Sequence, residues 1–252
     1  MTSDRIAELV AVASEPAVDA GDRRGRQKAL AALIPVLANN ARHAGIRAVA
    51  AGRWLTEEII ELAPRMPARD AATLRKQHAG LSDMQIAEQL IKTATRTTAA
   101  LGAAAGGLVA IEFAAPPALL ATPIQLAAEM LAVTAVELKL VAELHEIMGQ
   151  PARGTATERG GAYLMSWAHR RAVQPQLGAT ALASVFGTAA KRELRSQVLR
   201  RLGRSSTSLA PFFAGAVAGA EVNRRATKSL GETLLAELRG RGEQRWFRRL
   251  DG

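Results

Sequence analysis

Between Ala99 and Val136 the chain carries no lysine or arginine, and glycines at 102, 106 and 107 stand among alanines. Small residues four positions apart fall on one face of a helix and let a second backbone approach until main chain touches main chain. A second such segment, Leu209 to Ala220, sets Gly215 and Gly219 four apart. Any fold of this chain has to bring those bare faces against something. The spacing predicts Gly102, Gly106, Gly107, Gly215 and Gly219 as helix-packing positions. Pro116, Pro117 and Pro123 interrupt the first segment, so it reads as two helices joined by a proline-rich turn. The second would run from about Pro123 to Met148 and end on the left-handed cap offered by Gly149. A helix that spans a bilayer needs about 20 consecutive apolar residues. Ala99–Ile111, Phe113–Ala128 and Leu209–Ala220 all fall short or are broken, which leaves a buried or interfacial hairpin.

Alanine and leucine dominate while aromatics supply only 4% of the chain, and that balance favours helix over strand throughout. The expected fold is an all-α, multi-helix bundle with two glycine/alanine-rich, close-packed segments. Residues 1–80 read as an N-terminal helical extension, 81–240 as the helical core and 241–252 as a basic, aromatic tail. Within the extension, residues 3–14 form a short helix, Asp19–Arg26 a polar linker, and Gln27–Ala63 a helical stretch broken near Pro35 and Asn39-Asn40. A capping box at Ser82-Asp83-Met84-Gln85 opens the core. Residues 152–161 read as a Gly/Thr-rich connection, with helices at 162–174, 176–187 and 188–202, a polar loop at Arg204–Ser208, and a helix end at Gly240-Arg241-Gly242.

The formal net charge of +10 is unevenly placed. Residues 1–152 hold 15 basic and 16 acidic side chains, whereas 153–252 hold 18 and 7. A basic third of this kind suits a surface that faces phosphate, on lipid or nucleic acid; a solvated face is the plainer reading. In the tail, Arg245-Trp246-Phe247-Arg248-Arg249 combines cations with rings that settle at a headgroup layer, or that simply pack Trp246 on the body. With Arg224, Arg225 and Lys228 these five residues form the predicted membrane or anion contact.

Catalytic signatures are missing from the sequence. There is no cysteine, and the histidines at 43, 78, 145 and 169 form no zinc-type pair. His145-Glu146 begins a metalloprotease-like motif, but Gly149 stands where the second imidazole belongs. Thr227-Lys228-Ser229 resembles the end of a phosphate loop whose first glycine is Val222. Glu112, Glu129, Glu137, Glu143 and Glu146 share one region with His145, yet Ala142 occupies the place of the Glu that a di-iron bundle needs. No catalytic residue, cofactor, metal or small-molecule substrate is implied. Glu112 and Glu129, set in apolar surroundings, are costly unless paired. They read either as a polar groove lining or proton-sensitive switch or, more plainly, as Glu112 at the turn before Pro116 and Glu129 paired with an arginine or lysine of another helix. Leu81 to Glu88 resembles the start of a helix-turn-helix, but the helix continues into alanine and glycine, so nucleic acid ranks below other partners.

Several of these stretches occur in one order. They are the Ser82 cap, Leu90-Ile91-Lys92 with Arg96, Ala99 to Gly107, the proline-broken hairpin, Leu140 to Gly149, and Pro211 to Asn223 with its Gly-Ala-x-x-Gly-Ala-x-x-Asn pattern. Together they resemble the EcsC-like family of bacterial helical proteins over about Leu81 to Leu238. Members often place an acid just after the hairpin proline, where this chain has Pro123-Ile124-Gln125. The family is named for a component linked with an ABC transporter. The resemblance implies a helical fold and a membrane connection, not a reaction. The N-terminus lacks the basic-then-apolar order of a signal peptide. The sequence therefore predicts a non-catalytic cytoplasmic protein, peripheral on the inner face of the cell membrane, with an anionic membrane surface as partner. The alternative is a soluble assembly or adaptor protein that acts through a protein partner or self-association; a DNA-binding regulator comes last.

Overall fold

The computed structural model describes residues 2–15, 20–45, 49, 53–112, 122–171 and 214–250. Eight α-helices and no strand are found among the described residues. They are α1 (Thr2–Ala13), α2 (Ala20–Ala44), α3 (Arg53–Leu62), α4 (Ala71–Gln77), α5 (Asp83–Glu112), α6 (Thr122–Ile147), α7 (Ala156–Arg170) and α8 (Ala214–Leu250). A short 3-10 turn, Ala63–Arg65, follows α3. The protein is an all-α multi-helix bundle, as its alanine-rich, aromatic-poor composition predicts.

The centre of the bundle is α6. Every residue from Met130 to Leu144 is buried, and each of the other seven helices packs against α6. A helix apolar on all sides belongs in a core, and Leu131, Val133, Val136, Leu138, Val141 and Leu144 supply that character. The second arm of the sequence hairpin is thus enclosed by protein. No helix among the described residues is long and apolar enough to cross a membrane.

α5 and α8 lie side by side and antiparallel, since Gly102 meets Gly219, Thr98 meets Thr227 and Ile91 meets Gly231. A methyl group on Gly102 would stand 2.7 Å from the Gly219 carbonyl oxygen, and one on Gly219 would stand 3.2 Å from that of Gly102. The two backbones are in contact at this crossing. Gly231, which the sequence did not single out, continues the seam: its missing methyl would lie 2.7 Å from Ile91 Cγ1.

Several local expectations are corrected. α2 runs through Pro35 and the asparagines, and it also takes in most of the supposed polar linker. An interior proline costs about 3 kcal/mol, but Leu33, Ile34 and Leu37 are all buried around it, at about 1.5–3 kcal/mol each. The helix ends instead beside Gly45, at φ 86°. The supposed connection at 152–161 already contains the start of α7. Thr155 and Glu158 form a capping box, and Gly160 sits against Pro64, where a methyl would come within 2.6 Å of backbone. Gly240 and Gly242 end nothing, because α8 continues to Leu250 and absorbs most of the 241–252 tail. Ile6, Leu33 and Leu55, before residue 80, share one hydrophobic cluster with Leu131. The predicted hairpin turn, the helices at 176–187 and 188–202 and the 204–208 loop lie outside the described residues.

Replacing Gly102 by Ala should lower the unfolding free energy by about 1–3 kcal/mol, because backbone must move to admit the methyl. Gly25→Ala, in α2 with nothing within 4 Å of the new carbon, should raise it by about 0.5–1 kcal/mol through helix propensity alone. Urea titrations of the two variants check the contrast.

Candidate functional site

The central helix carries charges where a core helix should carry none. Glu137 is fully buried and Glu143 is 2% exposed, and an ionised carboxylate survives there only with a complete set of donors. Glu137 has that set. Trp167 Nε1 donates at 2.8 Å, Thr227 Oγ1 at 2.7 Å and Arg171 Nε at 2.9 Å, and Arg171 Nη2 supplies a fourth bond. Trp167 and Arg171, one turn apart at the end of α7, present both donors to the same carboxylate. The Thr98 hydroxyl in turn donates to Thr227 Oγ1 at 2.9 Å. One carboxylate on α6 therefore joins α7, α8 and, through two threonines, α5.

Glu143 is held from the other side of the bundle. The Arg69 guanidinium grips it with Nε to Oε1 and Nη2 to Oε2, each 2.8 Å, and Lys139 Nζ also donates to Oε1. Burial pushes the Glu143 carboxyl up, but the Arg69 fork and the Lys139 ammonium outweigh it and hold the pKa below its ordinary 4.5. Burial lowers the Lys139 pKa despite the adjacent carboxylate. Beside this pair lies a void of about 10 Å³, lined in part by Ser14 and His78. His145 is part of the packing: its ring nitrogens lie 3.1 Å from the Gln150 carbonyl and 3.3 Å from Ser166 Oγ, and the tilted Tyr163 ring is centred 5.5 Å away. No group of three acidic or histidine side chains that could hold a metal occurs among the described residues.

Glu129 accepts a 2.7 Å hydrogen bond from Asn223 Nδ2. The neutral amide of Asn223 is thus one partner of this carboxylate. Asn223 is one turn beyond Gly219, and a methyl on Gly102 would touch both. The last residue of the Gly-Ala-x-x-Gly-Ala-x-x-Asn pattern thus binds α6 at the point where its last glycine touches α5.

On the outer side of the same seam α5 and α8 diverge into an open groove of about 680 Å³. Five cations line it: Lys92 and Arg96 from α5, and Arg224, Lys228 and Arg239 from α8. Two carboxylates, Glu88 and Glu232, oppose them, and Met84, Ile91, Leu235 and Ala236 form the apolar part of the lining. The helical period explains the gathering, since each set recurs at three- and four-residue steps along one face. Lys228 reaches Glu232 at 3.6 Å. Arg224 and Arg225 both bond Glu221, whose pKa falls to about 2 under the Arg224 and Arg225 hydrogen bonds. Glu221 therefore stays ionised and competes with any outside anion for Arg224. Lys92 and Arg96 have no carboxylate partner among the described residues.

The groove thus contains Arg224 and Lys228 of the predicted anion contacts, but not Arg225, whose side chain is 77% exposed and held by Glu221. Lys92, Arg96 and Arg239 were not foreseen. Lys92 and Arg96 are one turn apart on the predicted α5, a signal that could have pointed to them. Arg245, Trp246, Phe247, Arg248 and Arg249 continue the backbone of α8, and their side chains lie outside the described residues. Gly106 and Gly107 sit on α5 and Gly215 on α8, with surroundings likewise outside them. These features define a helical bundle with a basic groove on a glycine-tightened seam. No family model matches the chain, and neither does any curated protein or solved structure.

Removing Glu143 leaves two buried cations facing each other, so Glu143→Gln should cost about 3 kcal/mol at neutral pH. The native pKa is depressed, so the wild-type advantage is present above pH 4.5 and is lost as pH falls through the folded value. Urea unfolding of both proteins from pH 7 downward should show their stabilities converging in acid. A constant gap would rule out this role for the ionised Glu143.

Proposed function

We propose that the protein binds to the surface of anionic membranes, peripherally and on the cytoplasmic side, through the basic face shared by α5 and α8. It acts by binding and performs no reaction of its own. The groove with five cations and two carboxylates is the observation that carries this reading. Cations near an anionic bilayer contribute about 1 kcal/mol each, and the attraction weakens with salt. The resemblance to EcsC-like proteins supports the same reading and rests on the sequence segments alone. The basic tail residues Arg245 to Arg249 would extend the contact along α8. Scattered apolar exposure gives less support to an adaptor role. The large exposed hydrophobics among the described residues, Val12, Leu81 and Val222, lie on α1, before α5 and on α8, which is not the contiguous patch a protein partner would need.

Flotation with phosphatidylcholine vesicles, with and without about 30% phosphatidylglycerol, tests the proposal. Binding should require the anionic lipid and fall steeply between about 0.1 and 0.5 M salt. Lys92→Gln with Arg96→Gln should weaken it roughly 30-fold, corresponding to two cations at about 1 kcal/mol each. Binding that ignores lipid charge would remove the reading.

A further inference from the structure

The groove has more than charge, and its second feature points to a defined ligand. Thr95 lies on the α5 face between Lys92 and Arg96, is 8% exposed and lines the groove. Its hydroxyl oxygen is buried and reaches no hydrogen-bond partner. A buried hydroxyl without a partner carries a penalty that a ligand oxygen would relieve. The antiparallel register sorts the lining along its length. Lys92, Thr95 and Arg96 face Arg224 and Lys228 toward the glycine crossing. Met84, Leu235 and Ala236 lie toward the other end, where Arg239 stands at the rim, with Ile91 between. Glu88 and Glu232 stand beyond the cationic cluster and disfavour a second negative group there. At about 680 Å³ the groove is far larger than one phosphate needs and falls within the usual range for small-molecule sites.

From this arrangement we infer that the groove takes up a single phosphate-headed lipid. Its phosphate oxygens would meet Lys92, Arg96, Arg224 and the Thr95 hydroxyl, and part of an acyl chain would lie along Ile91, Leu235 and Met84. The inference rests on the membrane-binding reading and deepens it: the basic face recognises individual lipid molecules as well as surface charge. Charge complementarity selects the head, and the apolar end favours a lipid over a free anion. The donors outnumber what a single carboxylate can accept, which favours phosphate over a fatty acid.

A lipid too short to form bilayers separates the two readings. Isothermal titration of the full chain with dihexanoylphosphatidic acid, kept below its micelle concentration, should give saturable one-to-one binding. Inorganic phosphate should bind at least tenfold more weakly. Thr95→Val keeps the side-chain shape and removes an unsatisfied hydroxyl. It should leave thermal stability unchanged or higher and weaken the short-chain lipid about tenfold, as expected for one hydrogen bond to a charged group, while flotation with anionic vesicles persists. Ala236→Glu, at an exposed position in the apolar end, should also weaken the short-chain lipid and leave inorganic phosphate unaffected. Vesicle binding without binding of the soluble lipid would overturn the inference and leave the surface reading standing. Equal affinity for inorganic phosphate would overturn it in favour of a simple anion site. An unchanged affinity in Thr95→Val would remove Thr95 from the site and sink the proposed geometry.

Discussion

Main-chain contact between α5 and α8 at Gly102 and Gly219 sets the distance between all the side chains those helices present to each other. With a methyl on Gly102 the backbones could not stay where they are, since the carbon would lie 2.7 Å from a carbonyl oxygen. Because the helices touch there, Asn223 reaches Glu129 and Thr98 reaches Thr227. On the outer side the same pair lines the basic groove on either side of Ile91. One steric constraint therefore fixes the inner polar contacts and shapes the outer surface.

The inner contacts matter because the central helix is charged. Glu137 and Glu143 are buried among leucine and valine, and neither could remain ionised at moderate cost without cations that are themselves held in place. Arg171 and Arg69 come from opposite sides of the bundle, and each uses two guanidinium nitrogens. Such planar, directional pairs tolerate little sliding. They constrain how α7, and the segment that carries Arg69, can sit on α6, a specificity that interchangeable aliphatic contacts do not impose. Arg170, next to Arg171, bonds Glu237 of α8 at 2.5 Å and repeats the arrangement toward the surface.

Local physics in the sequence was readable, and long-range pairing was not. The Ser82–Gln85 capping box is present in both directions, and Gly149 adopts φ 67° just past α6, because both depend on residues within one turn. The Thr155–Glu158 box has the same signature, but the surrounding glycines made the stretch read as a connection. Pro35 misled because its cost is local while the burial that offsets it comes from packing of α2 on α1, α5 and α6. Glu137 and Glu143 were visible as acids in an apolar helix, and Lys139 stands one turn from Glu143, yet their other partners lie 30 to 90 residues away, and no spacing rule encodes such distances. The groove shows the same limit. The α8 half, Arg224 and Lys228, stood out in the basic C-terminal third. Lys92 and Arg96 lie in the charge-balanced portion of the chain and gain meaning only when α5 is laid against α8.

The antiparallel α5–α8 register underlies both the buried network and the groove, and cross-linking tests it most directly. The chain has no cysteine, so a Thr98→Cys, Thr227→Cys pair can be introduced into it without a competing thiol. The two hydroxyl oxygens are 2.9 Å apart, and the account predicts rapid formation of an intramolecular disulfide under mild oxidant. A control pair, Thr98→Cys with Arg225→Cys, should stay reduced, since Arg225 points to solvent. Cross-linking of the control, or no bond between positions 98 and 227, would contradict the seam and everything built on it.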